Sequence, residues 1–300
     1  MTKLNLGDIN EKIPLQKAIY LGIQHVLAMD LYIVPIILAG ILAFNTQDSA
    51  ALIQMTFIVA GIATLIQSGF SLKLPVMQGP SYIPLGAIGA LGKSYGMAAV
   101  YGALIPVGIA IFLLGKPLNK FSQLVRKFVP PIVGGTVIVI VGISLIPVAF
   151  SGIYTGPTPL DNMAVAGASA ALLTGFILIG CFIKAAHWMR LTSVLLSMVF
   201  GTLVASQYGM VDFSSVADAP WFALPELMPF GTPEFHLVPI ATMMFIALIV
   251  LIETTGTWCA VSAVTGAELT DEKVNAGANG EGIGYFICSL FGGSCYWLFN

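Results

Sequence analysis

Eight apolar runs govern what this chain can fold into. They lie at about 18–43, 50–70, 97–115, 129–150, 163–184, 191–209, 237–262 and 281–298, each near the ~20 residues that a helix needs to cross the hydrocarbon of a bilayer. Only 9% of the 300 residues are charged and 57% are hydrophobic, against about 25% charged in an ordinary soluble domain. Too few charges exist to give these runs a polar shell, so the chain reads as an integral membrane protein that crosses the cell membrane many times. Residues 1–17, with Lys3, Lys12 and Lys17, are too polar for a cleaved secretory signal and read as a cytoplasmic N-terminal segment. A net charge of −2 leaves no basic patch for nucleic acid. The four cysteines fall singly in apolar stretches, without the close pairs of zinc or redox sites, so no metal or other cofactor is expected.

Between the second and third runs lies Leu74-Pro75-Val76-Met77-Gln78-Gly79-Pro80-Ser81-Tyr82-Ile83-Pro84-Leu85-Gly86. Three prolines and two glycines in thirteen residues cannot form a continuous helix. Non-helical backbone at membrane depth is tolerated where protein or a water-filled cavity supplies its hydrogen bonds, and transporters use such breaks to expose backbone groups to substrate. A re-entrant structural loop or a kinked helix is the alternative.

The basic residues orient the spans. Counting 74–92 as a crossing gives nine, and with the N-terminus inside only Lys93 of the twelve Lys and Arg falls outside. The loop 210–236 has Asp212, Asp218, Glu226 and Glu234 but no Lys or Arg, as an external loop should. Removing the broken segment as a crossing would place most of the basic residues outside.

Ionisable groups inside apolar runs are costly and mark functional cavities. Glu253, in Ile249-Val250-Leu251-Ile252-Glu253-Thr254-Thr255-Gly256-Thr257, sits beside three hydroxyls and a glycine and reads as a binding or proton site, with a hydrogen-bonded structural carboxylate as the alternative. Gln24 and His25 in the first run fit a ligand role and a helix–helix hydrogen bond equally well. Asp30, five residues beyond His25, points to another helix face and is left unassigned. Glu281 is read as the opening residue of the last span, where the helix dipole favours an acid.

Gln24-His25, the Leu74–Tyr82 stretch, Glu253-Thr254-Thr255-Gly256, and Ala278-Asn279-Gly280 followed by Phe291-Gly292-Gly293-Ser294 together resemble the nucleobase–cation symporter-2 family. This family, also called the nucleobase–ascorbate transporters, includes uracil, xanthine and uric acid permeases. The resemblance implies an all-α polytopic membrane protein with an inverted-repeat (7+7) transporter fold. In that fold the third and tenth spans each contain a short strand, and the strands meet at the substrate. Residues 18–209 would be the first repeat, 210–236 an external loop and 237–300 the start of the second, so that only about nine spans are present. Glu253 matches the glutamate that hydrogen-bonds the nucleobase. Tyr82 matches a strand position that lines the site with Ser81 and Gly79. His25, with Gln24 and Thr257, would support the site and its proton coupling. The implied partners are a nucleobase, a proton and membrane lipid; a homodimer is compatible with the same reading. The Gln78-Gly79 and Glu253-Thr254-Thr255-Gly256 wording leans towards purines such as xanthine or uric acid over uracil.

Two positions depart from the family pattern. Thr257 stands where the family often has Asp or His, which counts against a coupling scheme that needs a second ionisable group there. After Ser294 the family continues with Pro and the tenth-span strand, whereas this chain reads Cys295-Tyr296-Trp297-Leu298-Phe299-Asn300. That wording fits a truncated permease, in which the strand near Gly79 would lack its partner and transport would fail. A membrane enzyme would need clustered His, Asp or Cys, and a channel would need rings of pore-lining groups; the sequence offers neither. The remaining alternative is an anion transporter of the same overall fold. Reporter fusions test the topology: residues 93 and 225 should report outside, and 120 and 272 inside. A cytoplasmic signal at 225 would overturn the nine-crossing reading.

Overall fold

The computed structural model describes residues 14–28, 31–128, 158–183, 192–211, 224–293 and 297–298, with scattered positions between 136 and 150 and at 186 and 189. Ten helices and two short strands follow one another among these residues: α1 (Leu15–Ala28), α2 (Ile33–Leu42), α3 (Thr46–Thr64) continued by a π-helical turn (Leu65–Ser71), β1 (Gly79–Pro80), α4 (Leu85–Tyr95), α5 (Met97–Gly115), α6 (Phe121–Phe128), α7 (Pro159–Phe182), α8 (Ser193–Gln207), α9 (Leu237–Thr265), α10 (Asp271–Phe291) and β2 (Trp297–Leu298). Four segments are long and apolar enough to cross a membrane: Thr46–Ser71, Met97–Gly115, Leu160–Phe182 and Leu237–Thr265. The protein is thus mostly helical and multi-pass.

The chain divides into two compact units. One, Ile13–Met29 with Gly142–Ala223, holds α1, α7 and α8. Within it α7 and α8 pack through small residues: Ser197 Oγ donates to the Ser169 carbonyl at 3.4 Å, and Phe176 and Phe200 meet with ring centroids 5.7 Å apart. The expected span at 129–150 falls largely outside the described residues, as do residues 1–13.

The other unit, Met1–Lys12, Asp30–Val141 and Leu224–Asn300, holds the remaining elements. At its centre is α5, where eleven of nineteen residues are buried. It lies antiparallel to α10, since Gly108 faces Gly282 and Gly115 faces Asn275. A Cβ on Gly108 would come within 2.8 Å of the Gly282 carbonyl oxygen, and one on Gly282 within 2.7 Å of that of Gly108. Membrane helices lack a hydrophobic drive to associate and gain by such close backbone approach. Asn279 closes the end of α5: its Nδ2 donates to the carbonyls of Phe112 (2.8 Å) and Lys116 (3.1 Å), and its Oδ1 accepts from Lys116 N at 3.0 Å. Asn275 Oδ1 likewise accepts from Ser122 N at 2.9 Å, tying α6 to α10. These two asparagines serve helix-end groups that have no intrahelical partner.

Three sequence expectations are corrected. The run 18–43 is not one helix: α1 ends at Ala28 and α2 starts at Ile33, with Pro35 in its first turn, where a missing N–H costs nothing. The last helix begins at Asp271 and not at 281, because Thr270 caps it by accepting from Lys273 N at 3.3 Å and Asp271 and Glu272 occupy its first turn. It ends at Gly292, whose φ of +70° suits glycine and presents the Gly292 carbonyl to Tyr101 Oη at 2.7 Å. Glu281 is therefore in mid-helix. Finally, the strand at Gly79 has a partner, as described below.

The glycine contact yields a direct test. Gly282→Ala should overpack the α5–α10 crossing at a cost of about 1–3 kcal/mol. Gly86→Ala, where a Cβ would meet nothing within 4 Å, serves as control. Thermal unfolding in detergent should show the first variant melting clearly below the second; equal midpoints would refute the close crossing.

Candidate functional site

Residues 72–84 leave the helical hydrogen-bond pattern inside a membrane-spanning unit, so their polar groups need other partners. Thr64 Oγ1 accepts from Gln78 N at 2.8 Å, and Ser68 Oγ donates to the Val76 carbonyl at 2.5 Å. The next two residues form β1, which pairs antiparallel with β2 in the register Gly79 to Leu298 and Pro80 to Trp297. This pairing corrects the expectation that the strand edge stands open. A proline in a strand needs an edge position because it cannot donate, and this two-stranded sheet is all edge.

Directly after the strand, Ser81 is 1% exposed. Its hydroxyl donates to Glu253 Oε2 at 3.3 Å and accepts from Ile83 N at 3.1 Å. Glu253 is itself 1% exposed, near the middle of α9. Around it, Thr254 and Thr255 are buried, and Thr255 Oγ1 returns its proton to the Leu251 carbonyl at 2.7 Å. Such back-bonding satisfies a hydroxyl within its own helix.

A second buried carboxylate lies in the same unit. Glu281 is 1% exposed, and its Oε1 accepts from Gln67 Nε2 at 3.3 Å and from Gln78 Nε2 at 3.2 Å. Gln67 Nε2 also donates to the Gly277 carbonyl at 3.1 Å. The π-helical turn carries Gln67 to this position; such turns widen a helix and are frequent at functional sites. Gly280 makes room, since a Cβ there would collide with Gln67 Oε1. Gln67 Oε1 and Gln78 Oε1 are buried without a hydrogen-bond partner among the described residues. Tyr285, one turn beyond Glu281 on the same helix, is fully buried.

Of the residues singled out in the sequence, Gly79, Ser81, Tyr82 and Glu253 thus belong to one compact unit, and a hydrogen bond joins Ser81 to Glu253. Tyr82 is half-buried at the turn into α4, its carbonyl accepting from Leu85 N at 3.2 Å. Thr257 lies one turn beyond Glu253 and donates to the Glu253 backbone carbonyl at 3.5 Å. Gln24 and His25 lie on α1 in the other unit, where His25 is exposed. Glu281 and Gln67 were not singled out as site residues. The signal for Glu281 was the Thr270-Asp271-Glu272 capping pattern, which moves the helix start ten residues upstream. For Gln67 it was an amide within an otherwise apolar run, costly in lipid unless paired.

The chain is similar along most of its length to known transporters. It is 33% identical over 291 residues to a uric acid permease, PucJ, of Bacillus subtilis strain 168, covering 92% of this chain and 63% of that protein. To the xanthine permease of the same strain it is 32% identical, covering 95% of this chain and 65% of the relative. To the nucleobase transporter PlUacP of Paenibacillus larvae it is 35% identical, covering 91% and 64%. The chain therefore spans slightly less than two thirds of these relatives' length. The model of the permease family, matched over residues 16–299, covers nearly all of the sequence, and on these grounds the chain belongs to the permease family.

Proposed function

We propose that the chain carries the substrate site of a secondary active transporter that takes up a nucleobase with protons across the cell membrane, a purine such as xanthine or uric acid in preference to uracil. The observation that carries this reading is the buried Glu253 carboxylate, presented from the middle of α9 and met by Ser81 at the end of a strand pair. A nucleobase is planar and rich in N–H and C=O groups. A carboxylate acceptor, a hydroxyl, strand backbone and an aromatic ring answer those groups in a small apolar site. Glu253 accepts from a ring N–H; Ser81 and the Gly79 backbone serve the polar edge; Tyr82 offers its ring. Thr257, one turn beyond Glu253, supports the site. The names of the relatives, uric acid and xanthine permeases among them, favour purines.

Thr257 is not ionisable, so a second titratable group for proton coupling has to come from elsewhere in the unit. Glu281, held by two neutral amides, fits that role. The frame we propose is two inverted repeats of seven spans, with residues 18–209 as the first, an external loop at 210–236 and residues 237–300 opening the second. In this frame the N-terminus is cytoplasmic and nine crossings fall in this chain.

Binding of labelled xanthine, uric acid and uracil to the purified chain tests the site. A hydrogen bond to a charged group contributes about 1.5–3 kcal/mol, so Glu253→Gln should weaken purine binding roughly ten- to a hundredfold while the fold persists. Unchanged affinity would leave Glu253 structural, and binding of sulfate or bicarbonate with no nucleobase would replace the reading altogether. Coupling is tested separately: Glu281→Gln should keep purine affinity within a few-fold and abolish the dependence of uptake on a proton gradient. Retained gradient dependence would remove Glu281 from the coupling scheme.

A further inference from the structure

Where α5 and α10 cross, Gly108 and Gly282 contribute no side chains, and the outward side of the crossing is left as a furrow of about 200 Å³. Its walls are Ile109, Phe112 and Leu113 from α5 and Ile283 and Phe286 from α10. Ile109 is 52% exposed and Phe286 44% exposed, while Val107 and Ile111 on the inward side of α5 are fully buried. The furrow therefore opens on the exposed side of these two helices. Its lining is wholly apolar, as the seat of a hydrocarbon chain must be.

The end of the furrow identifies what kind of chain lies there. Leu113 is its last wall residue, and Lys116 follows three positions later, about 4.5 Å along the axis. Lys120 is brought back to the same helix end, its N–H donating to the Leu114 carbonyl at 3.1 Å. Residues 116–128 hold four basic residues and no acid. On the facing helix, Lys273 stands beside Asp271 and Glu272, and Glu272 pairs with Lys116 at 3.6 Å in an exposed contact, a kind of ion pair worth little in water. Next comes α6, a short amphipathic helix with Phe121 buried, Leu124 41% exposed and Lys127 exposed. A helix of this kind lies in the plane of the membrane interface.

We propose that this furrow is a binding site for an anionic phospholipid, with one acyl chain along the Gly108–Gly282 crossing and the headgroup phosphate on Lys116 and Lys120. Basic residues just outside a membrane helix attract anionic headgroups, and the apolar furrow running from them gives the acyl chain a fixed seat. The proposal does not rest on the nucleobase reading: it is argued from the furrow lining and the basic residues at its end alone.

The test uses the purified chain in detergent, titrated with phosphatidylglycerol or with phosphatidylcholine of the same acyl chains, reading bound lipid by native mass spectrometry and the thermal unfolding midpoint. Wild type should bind phosphatidylglycerol preferentially and melt higher with it. The Lys116→Gln/Lys120→Gln double variant should lose about 30-fold in phosphatidylglycerol affinity, which corresponds to about 1 kcal/mol per lysine, and bind both lipids alike. Ile283→Trp, which fills the furrow, should lose binding of both. Equal binding of the two lipids by wild type would overturn the proposal, as would phosphatidylglycerol preference surviving in the double variant. So would furrow-to-furrow cross-linking of an Ile109→Cys variant into dimers that added lipid does not suppress.

Discussion

Backbone that leaves a helix within a bilayer has no water to turn to, and the larger unit of this protein is arranged around meeting that demand. The prolines between Leu74 and Pro84 strip the segment of helical bonds. Thr64 and Ser68 from the end of α3 then bond Gln78 N and the Val76 carbonyl, while β2 covers the strand at Gly79. These supports fix where the backbone leads next. Ser81 arrives at the Glu253 carboxylate and Gln78 at the Glu281 carboxylate because the strand between them is held at both ends.

The same economy appears in α10. Asn275 and Asn279 would be costly in lipid, but each is spent on a helix end that needs it, α6 and the close of α5 respectively. Glycines at 277, 280 and 282 let Trp258, Gln67 and the α5 backbone approach α10 on three sides. The result is a polar helix packed closely on three sides, carrying a carboxylate at its centre.

Much of this architecture was legible in the sequence, and the limits are physical. Long uniform apolar runs such as 97–115 and 237–262 coincide with α5 and α9 because lipid and protein interior both reward apolar side chains over a full span. The proline–glycine stretch marked the non-helical segment, since those residues exclude a helix whatever surrounds them. Periodicity failed where enclosure replaces hydrophobicity: α10 opens with the exposed acids Asp271 and Glu272 and has Asn275, Asn279 and Glu281 buried by neighbours distant in sequence, so an apolar-run criterion starts it ten residues late. Glu253 stood out because it is a lone charge in an apolar run. Its partnership with Ser81, 172 positions away, and the convergence of Gln67 and Gln78 on Glu281 depend on tertiary contacts that no local pattern encodes.

The enclosure of α10 has a consequence for biogenesis. It is 21 residues long, about 31 Å at 1.5 Å per residue, enough to span, yet it is not among the described helices apolar enough to cross unaided. Its central carboxylate, Glu281, and the buried Asn275 and Asn279 all count against insertion of the isolated segment. Such a helix leaves the translocon only by passing from its aqueous channel onto protein that is already in the bilayer. The surfaces that receive it are α3, with its π turn, and α5, both made earlier in synthesis. The order of elements along the chain is thus also an order of insertion, in which the first helices act as the solvent for the last.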